Sequence, residues 1–288
     1  MDVSIIIVSW NVKDHLTRCL RSIFKHTDNL NYEVFVVDNN SIDGSAAMVK
    51  SLFPAINLII NKKNIGFAAA CNQAIKESKG NNILLLNPDT EITDNAIYKT
   101  SLYLRKNIKI GIVGCRILNE DGTIQPSVRR FPDLISHICI LLKLHNFFPE
   151  IKSVKKYYMT DFKYNSNTRV EQVMGAFFMI KRELLKSIGL LDKHFYIWYE
   201  EVDFCKRAVN KGWQVYYYQD ANVIHHKGKS FEQVKPVLKQ SIFNRSMLYY
   251  FFKHHSIFEY LVLLILFPTS LILALIVQLL GIKSANSQ

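Results

Sequence analysis

The chain is expected to fold as an α/β protein: a mostly parallel sheet flanked by helices, followed by an apolar helical segment at its C-terminal end. Three observations lead there. Short β-branched runs alternate with helix-period segments through the first half, the pattern of parallel strands joined by crossover helices. Polar residues collect immediately after those runs, where an open parallel sheet holds its ligands. Residues 260–282 are almost wholly apolar and long enough to cross a bilayer.

In chain order, residues 3–9, 32–37, 56–60, 83–86 and 110–115 read as strands. Leu16, Cys19, Leu20 and Ile23 fall at i, i+3, i+4 and i+7, which predicts an amphipathic helix after the first strand, and residues 68–75 repeat the pattern. Asp121-Gly122 between Ile117-Leu118 and Ile124 is a hairpin signal. Residues 125–170 read as mixed helix and loop over the sheet. Order returns with a strand over 173–181, a helix over 201–211, a strand over 213–218 and a last short strand over 223–225. Residues 231–256 interleave Lys235, Lys239, Arg245 and Lys253 with Phe243, Leu248 and Tyr249 to Phe252, which predicts a basic amphipathic helix. Residues 257–288 form an apolar membrane-anchoring segment and tail, in which Pro268 permits a kinked or interfacial arrangement; a buried helical hairpin is the competing reading. The expected division is therefore an α/β domain over 1–230, the basic helix and the anchor.

Composition narrows the partners. The 288 residues include 36 Lys and Arg against 24 Asp and Glu, a formal charge of +12, with 49% hydrophobic and 12% aromatic side chains. Such a balance suits an anionic membrane surface or a nucleic acid. No nucleic-acid motif is present and the basic residues gather near the C-terminal apolar segment, so nucleic acid is not expected. Cys19, Cys71, Cys115, Cys139 and Cys205 are scattered without CxxC spacing, which predicts reduced packing residues rather than a disulfide frame or a zinc ribbon. The first residues enter a strand directly, so no cleavable leader is expected.

Three strand ends carry the chemistry: Ser9-Trp10-Asn11, Asp38-Asn39-Asn40-Ser41 running on to Ser45, and Asn87-Pro88-Asp89-Thr90. Any turn could use these residue types, but Asp38 and Asp89 each end a wholly apolar run and leave a carboxylate at the crevice. No GxGxxG follows the first strand and no GxxxxGK[ST] occurs, which argues against a dinucleotide enzyme and a P-loop nucleotidase. A carboxylate at the crevice can hold a divalent cation that clamps a diphosphate, and Asp89 is the candidate. Further on, Glu200, Glu201 and Asp203 follow the aromatic run Phe195-Tyr196-Ile197-Trp198-Tyr199. They suit the first turn of a helix, where acids offset its positive end, and equally a general base raised in pKa by apolar surroundings.

Taken in order, Val8 to Asn11, Val36 to Asn39 with Ser41 and Asp43-Gly44-Ser45, Asn64-Ile65-Gly66-Phe67-Ala68 with Asn72, Leu84 to Thr90, Glu200 to Asp203, and Val223-Ile224-His225 with Gly228 and Ser230 resemble the motifs of glycosyltransferase family 2. The similarity spans roughly residues 3–230 and is strongest to bacterial rhamnosyltransferases of surface-polysaccharide assembly. The resemblance implies a GT-A fold, Rossmann-like in its sheet, and an inverting transfer of a sugar from a nucleoside diphosphate donor to an acceptor hydroxyl. It places Asp38 on the nucleotide base, with Ser9, Trp10, Asn11, Asn39, Asn64, Gly66, Phe67 and Asn87 around the nucleotide. Asp89 and His225 stand where Mg²⁺ or Mn²⁺ is bound, although Asn87 replaces the first acid of the usual motif and leaves one carboxylate fewer. Glu201 stands at the position of the base, where Asp is the common residue, with Glu200 beside it. Trp198 and Tyr199 would offer an apolar platform to a sugar ring, and Gly175 would let the backbone approach it. The implied donor is dTDP-rhamnose, with UDP-hexoses as alternatives. The expected acceptor is a polyprenyl-diphosphate-linked saccharide met at the cytoplasmic face of the cell membrane. A non-catalytic sugar-binding or assembly protein of the same fold is the reading from another class.

Overall fold

The structure, a computed structural model, describes residues 1–228 and 233–279. Ser230 and residues 280–288 lie outside the described residues. In chain order the elements are β1 (Val3–Ser9), α1 (Lys13–His26), β2 (Tyr32–Asp38), α2 (Ser45–Leu52), β3 (Asn57–Ile60), α3 (Phe67–Glu77), β4 (Asn82–Leu86), β5 (Thr90–Ile92), α4 (Ala96–Lys106) and β6 (Ile110–Leu118). They continue with β7 (Val128–Arg129), α5 (Leu134–Leu141), α6 (Leu144–Phe147), α7 (Lys152–Tyr158), β8 (Thr168–Val170), β9 (Gln172–Val173), β10 (Phe177–Lys181), α8 (Arg182–Ile188), α9 (Glu200–Asn210), β11 (Gln214–His225), α10 (Pro236–His254) and α11 (Ile257–Leu279).

The main sheet runs β3-β2-β1-β4-β10-β6-β11-β5, with β8 added on β11. Strands β1 to β4 are parallel, β10 runs against both β4 and β6, and β11 is parallel to β6. All seven residues of β1 and all five of β4 are buried, as expected for strands covered on both faces. One apolar layer gathers Leu16, Leu20 and Ile23 of α1 under Ile5, Ile7, Leu84 and Leu86; the other gathers Ala70, Ala74 and Ile75 of α3 with Ile6, Ile83, Leu85 and Phe178. A third cluster joins Leu141, Phe195, Tyr199 and Val202 to Met247, Leu248, Tyr250 and Phe251 of α10 and Leu263 of α11. The five cysteines are free and buried.

Several expectations shift. The strand expected over 173–181 is two strands, β9 and β10, separated by Met174, Gly175 and Ala176. The strands expected at 213–218 and 223–225 are one strand, β11, whose pairing with β6 jumps between Tyr218 and Asn222. The polar residues between them are a bulge and not a turn. The Asp121-Gly122 turn closes a minimal hairpin, with one bridge between Leu118 and Ile124. Helix α4 has a weak signal in the sequence: Ala96, Ile97, Thr100, Ser101 and Leu104 are buried at helical spacing, but the two hydroxyls dilute the apolar stripe.

Candidate active site

The register brings the strand ends to one edge. Ser9 pairs with Asp38, and Leu86 of β4 lies opposite Ile7, so the chain leaves the crevice there as Asn87-Pro88-Asp89. Because β10 is antiparallel to β4, it begins where β4 ends: Phe177 pairs with Leu86, and the Asn87 amide donates to the Ala176 carbonyl at 3.1 Å. The last residues of β11 return to the same edge. His225 pairs with Thr90 of β5 and therefore stands beside Asp89.

The first two loops form one cradle. The Asn11 side chain accepts from the Ile42 amide at 2.8 Å, its own amide donates to the Ser41 hydroxyl at 3.0 Å, and Asp38 accepts from the Ser41 amide at 3.0 Å. Asn39 donates to Asn64 at 2.9 Å and to the Gly66 carbonyl at 3.3 Å, while accepting from the Ile65 amide at 3.1 Å. It thus holds the 64–67 loop in place. Gly66 has φ +86°, and a Cβ there would lie 2.6 Å from the Tyr196 carbonyl oxygen. That same oxygen accepts from the Phe67 amide at 2.7 Å, so only glycine permits this approach. Two atoms in the cradle, Asp38 Oδ1 and Ser9 Oγ, are buried without a hydrogen-bond partner among the described residues. Buried polar atoms are rarely left so, and a bound polar molecule is a common reason.

At the next strand end Asp89 Oδ1 lies 3.4 Å from His225 Nε2, and both residues are buried. Asn87 Nδ2 is 3.5 Å from the same nitrogen. Gln125 sets the imidazole. Its amide nitrogen donates to Asn119 Oδ1 at 2.9 Å and to the His225 carbonyl at 3.1 Å, so its oxygen faces His225 Nδ1, 2.7 Å away. With Nδ1 donating there, the neutral ring turns the bare Nε2 toward Asp89. Two electron-rich atoms face each other, an arrangement that suits a cation between them. Among the described residues no group of three or more His, Cys, Asp or Glu side chains encloses an ion. The donor set therefore fits a cation whose remaining ligands come from phosphate oxygens and water, which is how Mg²⁺ is commonly held.

Facing this edge is the N-terminus of α9. Trp198 and Tyr199 enter it in the left-handed region, at φ +62° and +69°. Such backbone costs about 1–3 kcal/mol per residue and is characteristic of functional sites. Glu200 is buried and Glu201 partly so, and each has one carboxylate oxygen, Oε2, without a partner among the described residues. Gly175 is the neighbour of Glu201, since a Cβ on it would reach the Glu201 Cγ at 4.0 Å. Burial raises the pKa of Glu200 well above the ordinary carboxylate range, with the Glu201 charge adding to it. Burial also raises Glu201, opposed by backbone hydrogen bonds and by the Arg129 guanidinium. Of the pair, Glu200 is the more deeply buried and is raised the further. Asp203 differs: burial is outweighed by His254, Lys253 and Arg207, at 2.7, 2.8 and 2.8 Å, and its pKa falls. It anchors α10 to α9.

Tyr199 does not provide a sugar platform. It is 4% exposed, its hydroxyl is 2.9 Å from His137 Nε2, and its ring lies edge-on to Phe243, so no face is open. Burial depresses the His137 pKa to about 4, which keeps that imidazole neutral at physiological pH. Trp198 is half-buried against Phe243 and retains some open surface. Two functional neighbours escaped the sequence reading. Arg129, on β7, bonds Tyr157, lies 5.3 Å from the Tyr158 ring centroid and bears on Glu201; Gln125 orients His225. Both come from the stretch read only as mixed helix and loop, and the basic pair Arg129-Arg130 was its one visible signal.

A largely parallel sheet with carboxylates and a histidine along one edge, faced by an acidic helix N-terminus, is the arrangement of a GT-A-type glycosyltransferase. The chain belongs to glycosyl transferase family 2, whose model matches residues 4–189. It is 25% identical over 237 residues, covering 78% of this chain and 76% of the relative, to the N-acetylglucosaminyl-diphospho-decaprenol L-rhamnosyltransferase of Mycobacterium tuberculosis. It is also 25% identical to the O-antigen biosynthesis protein RfbC of Myxococcus xanthus, over 79% of this chain and 17% of that one. Among solved structures, the Pyrobaculum calidifontis mannosyltransferase in complex with GDP-Man and Mn²⁺ matches 99% of this chain and 76% of its own, with TM-score 0.59 and 16% identity. The protein is a glycosyltransferase with the GT-A fold.

Proposed function

We propose that the protein transfers rhamnose, with inversion, from dTDP-rhamnose to a hydroxyl of a polyprenyl-diphosphate-linked saccharide during cell-surface polysaccharide synthesis. The observation that carries this reading is the approach of Glu201 to Gly175 at the edge that also holds Asp89 and His225, which supplies a base facing a diphosphate site. Similarity to a rhamnosyltransferase acting on a decaprenyl-diphosphate sugar supports the choice of donor and acceptor.

The nucleotide occupies the cradle of Ser9, Trp10, Asn11, Asp38, Asn39, Asn64, Gly66 and Phe67, where Asp38 Oδ1 accepts from the base. Asp89 and His225, with Asn87 beside them, would hold Mg²⁺ or Mn²⁺. When bound, the cation neutralises charge that builds on the leaving phosphate. Glu201 removes the acceptor's hydroxyl proton as that oxygen bonds to the anomeric carbon, and the bond from that carbon to the diphosphate oxygen breaks on the opposite face. Nucleoside diphosphate leaves and the proton stays on Glu201. Glu200, raised further by its deeper burial, leaves its neighbour the better placed to carry a negative charge. The apolar α11 brings this edge to the cytoplasmic face of the membrane, where a lipid-linked acceptor is available.

A thermal-shift screen of nucleoside diphosphate sugars with Mn²⁺ tests the donor, because a ligand of the folded state raises Tm with its affinity. dTDP-rhamnose is expected to give the largest rise, and a larger rise with a UDP-hexose would overturn the donor assignment.

A further inference from the structure

Helix α11 is apolar and long enough, at 23 residues, to cross a bilayer by length and composition. Its packing points to another placement. It lies antiparallel against α10 and touches it near both ends and the middle. Gln278 Oε1 accepts from the Val237 amide at 3.5 Å, Asn244 Nδ2 donates to Ser270 Oγ at 3.0 Å, and Leu263 shares an apolar cluster with Met247, Leu248, Tyr250 and Phe251. Asn244 and Ser270 are both fully buried. Helix α10 is in turn part of the catalytic domain. Ser246 donates to the Ile197 carbonyl at 2.8 Å, and Lys253 pairs with Asp192 and Asp203 at 2.7 and 2.8 Å.

The other side of α11 is open. Ile257, Phe258, Leu261, Leu264, Ile265, Ile272, Leu275, Ile276 and Leu279, at helical spacing, are each at least 40% exposed. Ile135 on α5, which packs against α11, is 63% exposed and enlarges the same apolar neighbourhood. Exposed cations, Lys235 and Arg245, occur on and just before α10. If α11 crossed the bilayer, α10 would have to follow it with Lys239, Gln240 and Arg245, or separate and expose its own apolar side and Asn244. Charged side chains and unpaired polar groups are disfavoured in hydrocarbon.

We propose that α11 lies in the plane of the membrane, sunk by its apolar stripe into the cytoplasmic leaflet without crossing it. The proposal deepens the membrane attachment proposed above and rests on it. The occupant of the stripe is an anionic phospholipid leaflet, matched in charge by the chain's +12 and in chemistry by an apolar helix face with basic residues nearby. The Asp203 clamp then holds α9, and with it Glu201, at a set height above the lipid. A lipid-linked acceptor would reach the base by diffusing in the membrane plane.

Fusion of two topology reporters to the C-terminus of the full chain tests this: a fluorescent protein that matures only in the cytoplasm and a phosphatase active only outside it. The expected result is chain in the membrane fraction, fluorescent, with no phosphatase activity. Phosphatase activity would overturn the in-plane placement while leaving membrane attachment intact. Absence from membranes would overturn both. Vesicle flotation provides the second arm, with phosphatidylglycerol vesicles as the probe. The double variant Ile265→Lys, Ile272→Lys is expected to bind them at least 10-fold more weakly with unchanged Tm. Unchanged binding, or a stripe covered by a second copy in a stable dimer, would overturn the proposal.

Discussion

The proposed donor side and the proposed acceptor side of the site are built differently. On the donor side, Ser9, Asp38 and Asn87-Asp89 are strand-end residues, and each is placed by the parallel strand immediately before it. On the acceptor side, Glu201 depends on α9, which is held by Arg207, Lys253 and His254 at Asp203, and on Arg129 from β7. The donor edge is a local product of the sheet; the acceptor edge is assembled from segments far apart in the chain. Donor binding should therefore tolerate damage to the acceptor edge, and catalysis should not.

The largest expected effect is at Glu201. Glu201→Gln should lower kcat by roughly 10²–10⁴-fold, the usual contribution of a positioned base, while donor affinity measured by calorimetry stays within a few-fold. Loss of donor affinity in parallel would mean that the two edges are not separable. Asp203→Asn removes the central negative charge of a buried ion-pair cluster and should destabilise the fold by about 3–5 kcal/mol, read by denaturant unfolding. Its effect on catalysis should appear before donor affinity suffers. Asp89→Ala is the mirror experiment. It should weaken donor binding about 10–100-fold in Mn²⁺ and bring it close to the wild-type value measured after chelation.

Two smaller effects sharpen the electrostatics. If Glu201 is the base it must be ionised to act, so kcat/KM should rise with pH through a pKa above the ordinary glutamate value of about 4.3. Arg129→Met removes a charge that favours ionisation and should move that limb to higher pH; an unmoved limb would separate Arg129 from the base. Glu200 has a folded-state pKa raised above its unfolded value, so the folded state binds this proton more tightly and stability falls as pH rises above the unfolded value. Glu200→Gln should therefore raise Tm by a few degrees at neutral pH and leave the acid limb of activity nearly unchanged.

The same contrast explains what could be read in advance. The carboxylates after apolar runs were legible because a parallel sheet sends every such residue to one edge. Tyr199 was misread because an aromatic next to a carboxylate looks the same in sequence whether it faces a ligand or a core, and only α10 and His137 show that it faces the core. The join of two expected strands into β11 was hidden by Gln219 and Asp220, polar residues that a bulge accommodates as readily as a turn. Gln125 and Arg129 had no periodicity to mark them, since their roles arise from contacts with His225 and Glu201 about a hundred and about seventy positions away.

By itself, the order of apolar runs and strand-end polar residues determined the sheet, the edge where those polar residues meet and the family, because each of these depends on spacing within a few residues. The tertiary structure alone decided which acid is buried the deeper, which histidine nitrogen faces Asp89 and how α11 packs along α10. Those outcomes depend on burial and on long-range neighbours, which set the free energy of a charge or an apolar face.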